Sequence, residues 1–254
     1  MLRILDKNKV PVKGLRKYSD LCIENSIELD DKTLTFSVPY RNVRSAIVVE
    51  GYIETKEDRF VVKEIEKSSE GTANITAQLD LESLEGKPFR TFRSEEQTIK
   101  AALQLAFAGT GWTVGECSVS KKRTLSMANV PALDVLKQAL KTYRAEIKID
   151  SKKQSIDIYP EIGSDKGVYF SNQLNLRKLT VQYSTYDFYT EIEPYGKDGL
   201  TIETVNSGKT YLENHQYSSK KKRCIWKDER YTIADSLKED AAAKLADMSK
   251  PYVS

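Results

Sequence analysis

Hydrolytic enzymes often place a histidine base beside a nucleophilic serine or cysteine, with an acid that orients the ring. The sequence has one histidine, His215, which stands between Asn214 and Gln216. No G-x-S-x-G motif supplies an exposed serine, and no H-E-x-x-H motif supplies a pair of zinc ligands. A single histidine cannot build a histidine-rich zinc site either. We therefore interpret His215 as a surface or turn residue, and we predict no catalytic and no metal-ligating residue.

Two glycine-containing stretches match phosphate-binding loops only in part. Residues 109–115 read G-T-G-W-T-V-G, which has the spacing G-x-G-x-x-x-G and follows a predicted helix instead of preceding one. A phosphate would then lack the helix N-terminus that binds it, so this stretch is better interpreted as a helix end followed by a turn. Residues 206–209, N-S-G-K, lack the first glycine of a P-loop and predict a turn. No cofactor-binding residue is expected.

Asp228 and Glu229 are adjacent carboxylates that could serve acid–base chemistry. Neighbouring residues on a strand or turn point in different directions, so such a pair rarely acts on one substrate. We favour a structural role at the boundary between a strand and a helix, with Arg230 as an ion-pair partner.

The densest basic cluster is K-K-K-R at residues 220–223. Such a cluster could bind nucleic-acid phosphates. However, 40 Lys and Arg residues face 37 Asp and Glu residues, and the net charge of +3 does not indicate a nucleic-acid-binding protein. Serines precede the cluster and an apolar run follows it, so we favour a solvated turn that enters a strand. Contact with a passing genome stays an alternative.

Tyrosines are concentrated in the last third of the chain, where nine of the 14 lie between Tyr159 and Tyr231. Exposed aromatic rings could stack on sugars. Tyrosines in strands more often pack in a half-buried surface or at a protein interface. We therefore rank core and interface roles above carbohydrate binding.

The composition, with 30% charged residues and a mean hydropathy of −0.52, is typical of a soluble protein. No apolar run approaches the ~20 residues of a membrane helix, and the N-terminus lacks an apolar signal core. Cys22, Cys117 and Cys224 form no CxxC pair and no metal-ligand spacing. We expect three half-buried thiols in a reducing compartment, and synthesis in a cytoplasm.

The first part of the chain alternates apolar and polar residues between turn signals. The predicted strands cover residues 26–29, 33–38, 47–53, 60–65 and 72–79. Short strands at such close intervals favour a small antiparallel barrel or sandwich.

The middle of the chain changes to a helical period. Ser94 and Gln97 fit a capping box, and Gly109 ends the predicted helix. A second helix is predicted from about Pro131, and residues 145–159 predict a hairpin. The apolar stripe of the second helix comprises Leu133, Leu136, Leu140 and Tyr143.

The last part returns to strands, with one long candidate from Leu174 to Tyr183 that also includes Leu176, Leu179 and Val181. Thr232 and Asp235 fit a capping box for a final helix. Trp226 is expected to be buried against that helix as an anchor. The inner stripe of the helix comprises Leu237, Ala241, Leu245 and Met248, and Pro251 ends it.

Five segments in a fixed order resemble the N-terminal hub region of phage and prophage tail proteins, the prophage endopeptidase tail or tail-associated minor structural protein family. The segments are P-Y-G-K-D-G-L at 194–200, V-N-S-G-K at 205–209, Y-L-E-N at 211–214, W-K-D-E-R-Y-T at 226–232 and M-S-K-P at 248–251. None of them is a catalytic motif, and their order and spacing carry the resemblance.

The resemblance implies an α+β, mainly β fold with two antiparallel barrel-like hub domains and a small α+β module between them. We predict a first barrel-like domain at 1–93, the α+β domain at 94–167 and a second β-rich domain with a C-terminal helix at 168–254. It also implies a homotrimer in the tail tip or baseplate of a virion, assembled in the host cytoplasm. The implied partners are the distal-tail protein ring and the tape-measure protein, with only indirect contact to the host cell wall and none to a membrane.

Two other functions stay open. The chain could be the N-terminal part of a tail-associated cell-wall-degrading endopeptidase whose catalytic domain lies beyond residue 254, since members of the family usually continue further. It could also be a module that binds cell-wall polysaccharide, which exposed aromatic and acidic residues in one groove would favour.

Overall fold

The computed structural model describes residues 1–25, 32–169, 171, 173, 178 and 180–253, without the side chain of Asn42. Contacts divide the chain into two compact units. Unit 1 comprises Met1–Lys122 and Met127–Ile162, and unit 2 comprises Arg123–Ser126 and Gly163–Ser254. The fold is α+β and mainly β, as the sequence predicts.

Some predicted strand positions cannot be compared with the structure. The predicted strand at residues 26–29 lies outside the described residues, as do Leu174, Leu176 and Leu179.

Seven strands of unit 1 form one antiparallel sheet. They are β1 (Leu2–Leu5), β2 (Pro11–Leu15), β3 (Ser19–Glu24), β4 (Thr33–Pro39), β5 (Tyr52–Glu54), β6 (Arg59–Lys67) and β7 (Thr72–Leu79). Their order across the sheet is β2-β1-β5-β6-β7-β4-β3.

This sheet has to curl. The edge strands β2 and β3 follow each other in the chain, and the four Cα steps from Leu15 to Ser19 span at most about 15 Å. In a flat sheet, the six strand spacings between these edges would separate them by about 29 Å. The short connection therefore forces the barrel-like curvature that the sequence predicts.

The core of this sheet follows the alternation of β4, whose residues Leu34, Phe36 and Val38 are buried while their neighbours are half-buried. Phe36 pairs with Ile75 of β7, and both are at most 2% exposed. Burial of this apolar face is the main stabilising contribution to the sheet.

One predicted strand is partly wrong. Residues 47–51 form a turn, and β5 begins only at Tyr52. The amide of Gly51 donates to the carbonyl of Val48 at 3.0 Å. A Cβ at residue 51 would lie 3.0 Å from the same carbonyl oxygen, so glycine permits the tight turn. The apolar run at 47–49 resembles a strand in sequence, but it folds back on itself.

The rest of unit 1 contains three helices and five strands, with β10 shared between the units. They are α1 (Glu82–Glu85), β8 (Pro88–Thr98), α2 (Ile99–Phe107), β9 (Thr113–Cys117), β10 (Lys122–Pro131), α3 (Ala132–Tyr143), β11 (Glu146–Asp150) and β12 (Ser155–Tyr159). β8 pairs with β10, and β12 lies between β11 and β9.

The predicted capping box at Ser94 is wrong. Ser94 lies in β8, where it is 3% exposed and shares the inner face with Phe92. The period of two continues to Thr98, whose hydroxyl accepts from the amide of Ala101 and caps α2. Ser94 and Gln97 therefore belong to the strand, and the helix starts later than the sequence pattern suggests.

The two helices and the hairpin predicted for this part of the chain are confirmed. α3 begins at Ala132, directly after Pro131, and Gly109 adopts a φ of +79° two residues beyond the end of α2. β11 and β12 pair as the predicted antiparallel hairpin. In addition, β12 pairs in parallel with β9, which the sequence did not suggest.

Besides its part of β10, unit 2 contains five short strands and one α-helix among its described residues, and two 3-10 helices at Lys197–Gly199 and Glu203–Val205. The strands and the α-helix are β13 (Tyr183–Ser184), β14 (Glu191–Tyr195), β15 (Leu212–Glu213), β16 (Arg223–Lys227), α4 (Ala234–Met248) and β17 (Tyr252–Val253). β14 pairs antiparallel with β15 and in parallel with β16, while β13 pairs antiparallel with β17. The antiparallel pairing expected here is therefore present in two of these three ladders.

The helix α4 covers one face of the β14–β16 pair. Its residues Ala241 and Leu245 form a buried cluster with Ile192 of β14, and Leu237 forms a second cluster with Ile202 and Tyr231. This is the inner stripe predicted from the sequence, although Met248 is only half-buried. Within the described part of the chain, no helix has both the length and the apolarity that a membrane crossing requires.

Candidate functional site

A buried ion cluster lies in unit 2 around Asp240 of α4. Arg123 donates from Nε to Asp240 Oδ2 at 2.8 Å and from Nη2 to Asp240 Oδ1 at 3.2 Å. The hydroxyl of Tyr231 donates to Asp240 Oδ2 at 2.7 Å. Arg123 also pairs with Glu239 at 2.7 Å. Arg123 is 4% exposed and Asp240 is 5% exposed, so this pair is shielded from water.

The electrostatics of the cluster favour one protonation state. Burial alone would lower the pKa of Arg123, but its hydrogen bonds to Asp240 and Glu239 raise that pKa above the usual arginine value. Burial and the bond to Asp240 raise the pKa of Tyr231. The arginine therefore stays charged and the phenol stays protonated near neutral pH.

Trp226 lies beside this cluster on β16. Its ring contacts the Tyr231 ring edge-on, with the centroids 5.4 Å apart, and it packs against both buried clusters of unit 2. The ammonium of Lys244 lies 5.6 Å from the ring centroid. The predicted anchor is thus placed against α4, but Trp226 is half-buried instead of fully buried.

The adjacent carboxylates do not converge on one point. Arg230 Nη2 donates to Asp228 Oδ2 at 2.6 Å, and Lys227 pairs with Glu229 at 2.9 Å. Burial would raise the pKa of Asp228, but the Arg230 bonds hold it below its usual value. Each carboxylate has its own cation, which agrees with the structural role inferred from the sequence.

The predicted cap at Thr232 is wrong. α4 begins at Ala234, and the residue at its N-cap position is Ile233, whose side chain makes no capping hydrogen bond. After β16 the chain turns at Glu229 and Arg230, where the amide of Tyr231 donates to the carbonyl of Asp228 at 3.2 Å, and Ile233 is extended directly before the helix. Asp235 lies in the first turn, where a negative charge is favourable.

His215 is an exposed residue of the segment between β15 and β16, as predicted. Its Nδ1 lies 3.0 Å from the carbonyl oxygen of Ser218 and donates to it. A backbone carbonyl is no nucleophile, so this contact does not create a catalytic pair.

His215 also lies near two glutamates. One ligand atom from each of Glu191, Glu213 and His215 lies within 4.8 Å of the other two. No sequence signal connects these residues, since 22 positions separate the two glutamates.

The basic cluster at 220–223 enters β16 at Arg223. Thr190 fixes its backbone, because the Thr190 hydroxyl donates to the carbonyl of Lys220 at 2.7 Å and accepts from the amide of Lys222 at 2.9 Å. Arg223 pairs with Glu191 at 2.8 Å. The three lysines are exposed, so the cluster has the geometry of the predicted turn that enters a strand.

The tyrosines of unit 2 range from buried to fully exposed, and Tyr189, Tyr195 and Tyr211 are half-buried. Tyr231 is buried in the core, whereas Tyr183 is 73% exposed and Tyr186 is 95% exposed.

Among the cysteines, Cys117 and Cys224 are half-buried as expected, but Cys22 is exposed on the edge strand β3. Burial raises the pKa of Cys224, which makes its thiol less reactive.

Three family models match consecutive parts of this chain. The prophage endopeptidase tail N-terminal domain matches residues 2–79, the prophage endopeptidase tail domain matches residues 87–158, and the prophage endopeptidase tail model matches residues 164–254. The ion cluster around Asp240 and the Trp226 anchor lie within the third match, apart from Arg123.

Similar proteins come from prophages as well. The SPbeta prophage-derived uncharacterized protein YomG of Bacillus subtilis (strain 168) is 22% identical over 239 residues, which make up 85% of this chain. The chain spans only 27% of the length of that relative.

Solved structures show the same fold over nearly the whole chain. The prophage tail protein gp18 from Listeria monocytogenes EGD-e has a TM-score of 0.76 at 16% identity, covering 99% of this chain and 79% of its own. The 43 kDa tail protein of prophage MuSo2 from Shewanella oneidensis has a TM-score of 0.65 at 12% identity, covering 98% and 79%.

Proposed function

Because the chain belongs to the prophage tail proteins, we propose that it is a structural component of the hub at the tip of a phage tail. There it would close the distal end of the tail tube and support attachment to the host. The observation that carries this proposal is the coverage of the fold, since one prophage tail protein aligns with 99% of the chain. The curled seven-stranded sheet is the kind of element that subunits of a ring can present side by side.

We further propose that three copies form the hub, with domains at 1–93, 94–167 and 168–254. The partners would be the distal-tail protein ring on one side and the tape-measure protein inside the tube. DNA would meet the hub only as the passing genome, and the host cell wall would be reached indirectly. Assembly would take place in the host cytoplasm and no membrane is involved.

We propose that this region has no catalytic activity of its own. The family name contains the word endopeptidase, yet His215 bonds a backbone carbonyl, and Asp228 and Glu229 each face a separate cation. The second candidate is that the chain forms the N-terminal part of a longer cell-wall-degrading protein. The length of the relative, of which this chain spans 27%, is compatible with that alternative.

The assembly proposal is tested by the mass of the purified chain in solution, by light scattering across a concentration series. We expect three copies of the 28.8 kDa chain per particle, either alone or in a heavier complex with the distal-tail protein of the same prophage. Ring-shaped particles should appear in negative stain. A chain that remains monomeric and binds neither the distal-tail nor the tape-measure protein would contradict the hub.

The proposal of no activity is tested by incubating the chain with peptidoglycan and with peptides. We expect no soluble fragments. Cleavage that disappears on His215→Ala would favour the enzyme instead. Retention of the chain on purified cell-wall polysaccharide, reduced by Tyr186→Ala, would favour a binding module.

A further inference from the structure

Three charged residues form a row across the mixed sheet of unit 2. Glu213 of β15 lies directly opposite Glu191 of β14, and Glu191 lies directly opposite Arg223 of β16. Two like charges at directly opposite positions of an antiparallel pair destabilise the sheet. Arg223 compensates Glu191 from one side only, through its Nε at 2.8 Å from Oε2. Lys209 compensates Glu213 in the same way, through its Nζ at 3.2 Å from Oε1, and these two contacts leave Oε1 of Glu191 and Oε2 of Glu213 for a further cation.

His215 supplies a nitrogen to the same space. Its Nδ1 donates to the carbonyl oxygen of Ser218, so in the neutral ring the lone pair lies on Nε2. This Nε2 lies 3.9 Å from Oε2 of Glu213. An imidazole whose outer N–H is bound to a backbone carbonyl is the usual arrangement of a metal-ligating histidine, because the bond fixes the tautomer and the ring orientation.

Each of the three side chains is held by a separate partner. Arg223 binds one oxygen of Glu191, Lys209 Nζ lies 3.2 Å from Oε1 of Glu213, and Ser218 binds the ring of His215. The Glu191 side chain is only 4% exposed, so its position is fixed by packing. One ligand atom from each residue then lies within 4.8 Å of the other two.

We propose that Glu191, Glu213 and His215 bind one divalent transition-metal ion, for which Zn²⁺ is the best fit. One imidazole nitrogen with two carboxylate oxygens suits Zn²⁺, whereas Mg²⁺ and Ca²⁺ prefer oxygen ligands alone. With metal–ligand distances of about 2.1 Å, the ligand atoms would stand roughly 3.4 Å apart. The two exposed side chains would therefore move inward by about 1 Å, and water would complete the coordination.

The ion would fasten a short element to the sheet. β15 has only two residues. The segment that follows it is joined to the chain before β14 by one backbone bond, in which the amide of Asn214 donates to the carbonyl of Thr190 at 2.8 Å. A metal that joins His215 and Glu213 to the buried Glu191 would fix this segment to the central strand. This inference does not depend on the hub proposal, because it concerns the fold of unit 2 alone.

The positive charges that already lie beside the two carboxylates oppose the binding of a metal ion. Lys209 and Arg223 neutralise the two carboxylates, and Lys209, followed by His215 and Lys221, lowers the pKa of Glu213. A site of this kind binds an ion only if the metal bonds outweigh the competition from these ammonium and guanidinium groups. The experiment therefore measures affinity and not only occupancy.

The test uses the untagged chain, since His215 is its single histidine and a histidine tag would bind zinc itself. ¹⁵N NMR of the imidazole follows a ZnCl₂ titration after treatment with EDTA. We expect one Zn²⁺ per chain, a shift of the His215 Nε2 signal and none with MgCl₂. By calorimetry, His215→Ala and Glu213→Gln should each weaken binding by at least about tenfold.

Two control variants separate this site from adventitious binding. Glu229→Gln removes an exposed carboxylate that pairs with Lys227 elsewhere in unit 2, and it should leave the affinity unchanged. Cys22→Ser removes the exposed thiol and should do the same. An unshifted imidazole signal in excess Zn²⁺ would overturn the proposal. So would equal affinity in His215→Ala, or binding that disappears with Cys22→Ser. Circular dichroism confirms that each variant is folded.

Discussion

Replacing Arg123 by methionine should destabilise unit 2 more than any surface change. Methionine keeps most of the length and the apolar stem of arginine but removes the guanidinium. Asp240, whose side chain is 7% exposed, would lose both bonds from Arg123 and keep only the one from the Tyr231 hydroxyl. A buried carboxylate would then lack its cation.

The magnitude follows from the burial of the pair. Removing one partner of a buried ion pair lowers the free energy of unfolding by about 3–5 kcal/mol, because the remaining charge is uncompensated. The second contact of Arg123, with Glu239, adds little, since that side chain is 57% exposed. We therefore expect Arg123→Met to lower the stability of unit 2 by about 3 kcal/mol, which is a large part of the stability of a typical domain.

The two tryptophans allow each unit to be followed separately. Trp112 belongs to unit 1 and Trp226 to unit 2, so a Trp112→Phe background leaves one reporter for unit 2. Urea unfolding monitored by Trp226 fluorescence should show a midpoint lower by roughly 1–3 M in the Arg123→Met protein, with little change in slope. Because both proteins carry the same background change, its own effect cancels.

The control is the double variant Arg123→Met with Asp240→Asn. Asparagine can still accept from Tyr231 but needs no cation, so the second change should restore at least about 1 kcal/mol of the loss. Two results would refute the reasoning. One is an Arg123→Met protein within about 1 kcal/mol of its parent, and the other is a double variant no more stable than the single one.

Three further changes test other parts of the fold. Trp226→Ala should lower the stability of unit 2 by about 3 kcal/mol because its indole packs against two buried clusters. An unchanged thermal transition would contradict this. Thr98→Ala should lower stability by about 1 kcal/mol through the lost cap of α2, and unaltered amide exchange at the start of that helix would argue against the cap. Gly196→Ala should destabilise by about 1–3 kcal/mol, since a Cβ there would lie 2.7 Å from the carbonyl oxygen of Tyr231. Gly163→Ala, with nothing within 4 Å, is the matched control, and equal melting temperatures of the two would disprove the steric argument.

Local patterns predicted the elements whose partners are close in sequence. The β11–β12 hairpin follows from two alternating runs on either side of a four-residue turn, and the register pairs Ile147 with Ile158. The stripe of α4 follows from the spacing of Leu237, Ala241 and Leu245, which are all at most 2% exposed. In these cases one short segment contains both the spacing of the apolar residues and the residues that end the element, so the sequence alone predicts the element.

Pairings between distant segments could not be predicted in the same way. An alternating run indicates which residues face inward, but it does not name the neighbouring strand. The parallel pairs β9–β12 and β14–β16 join segments with dozens of residues between them. The row of Glu213, Glu191 and Arg223 depends on the β14–β15 and β14–β16 pairings, so no spacing in the sequence could have revealed it. Ser94 is a related case. The spacing of Ser94 and Gln97 fits a helix capping box, but the same residues also fit the alternation of a strand, and they belong to β8.

The run W-K-D-E-R-Y-T at residues 226–232 is one of the five segments that carry the resemblance to tail proteins, and its contacts explain why it is typical of one fold. Trp226 and Tyr231 pack edge to face, Asp228 binds Arg230, and the Tyr231 hydroxyl holds the buried Asp240. These contacts hold the turn at Glu229 and Arg230 that leads from β16 towards α4, and the residue at the N-cap of α4 makes no side-chain capping bond. Trp226, Asp228, Arg230 and Tyr231 each have a partner within unit 2. A segment bound in this way fixes how a strand leads into a helix.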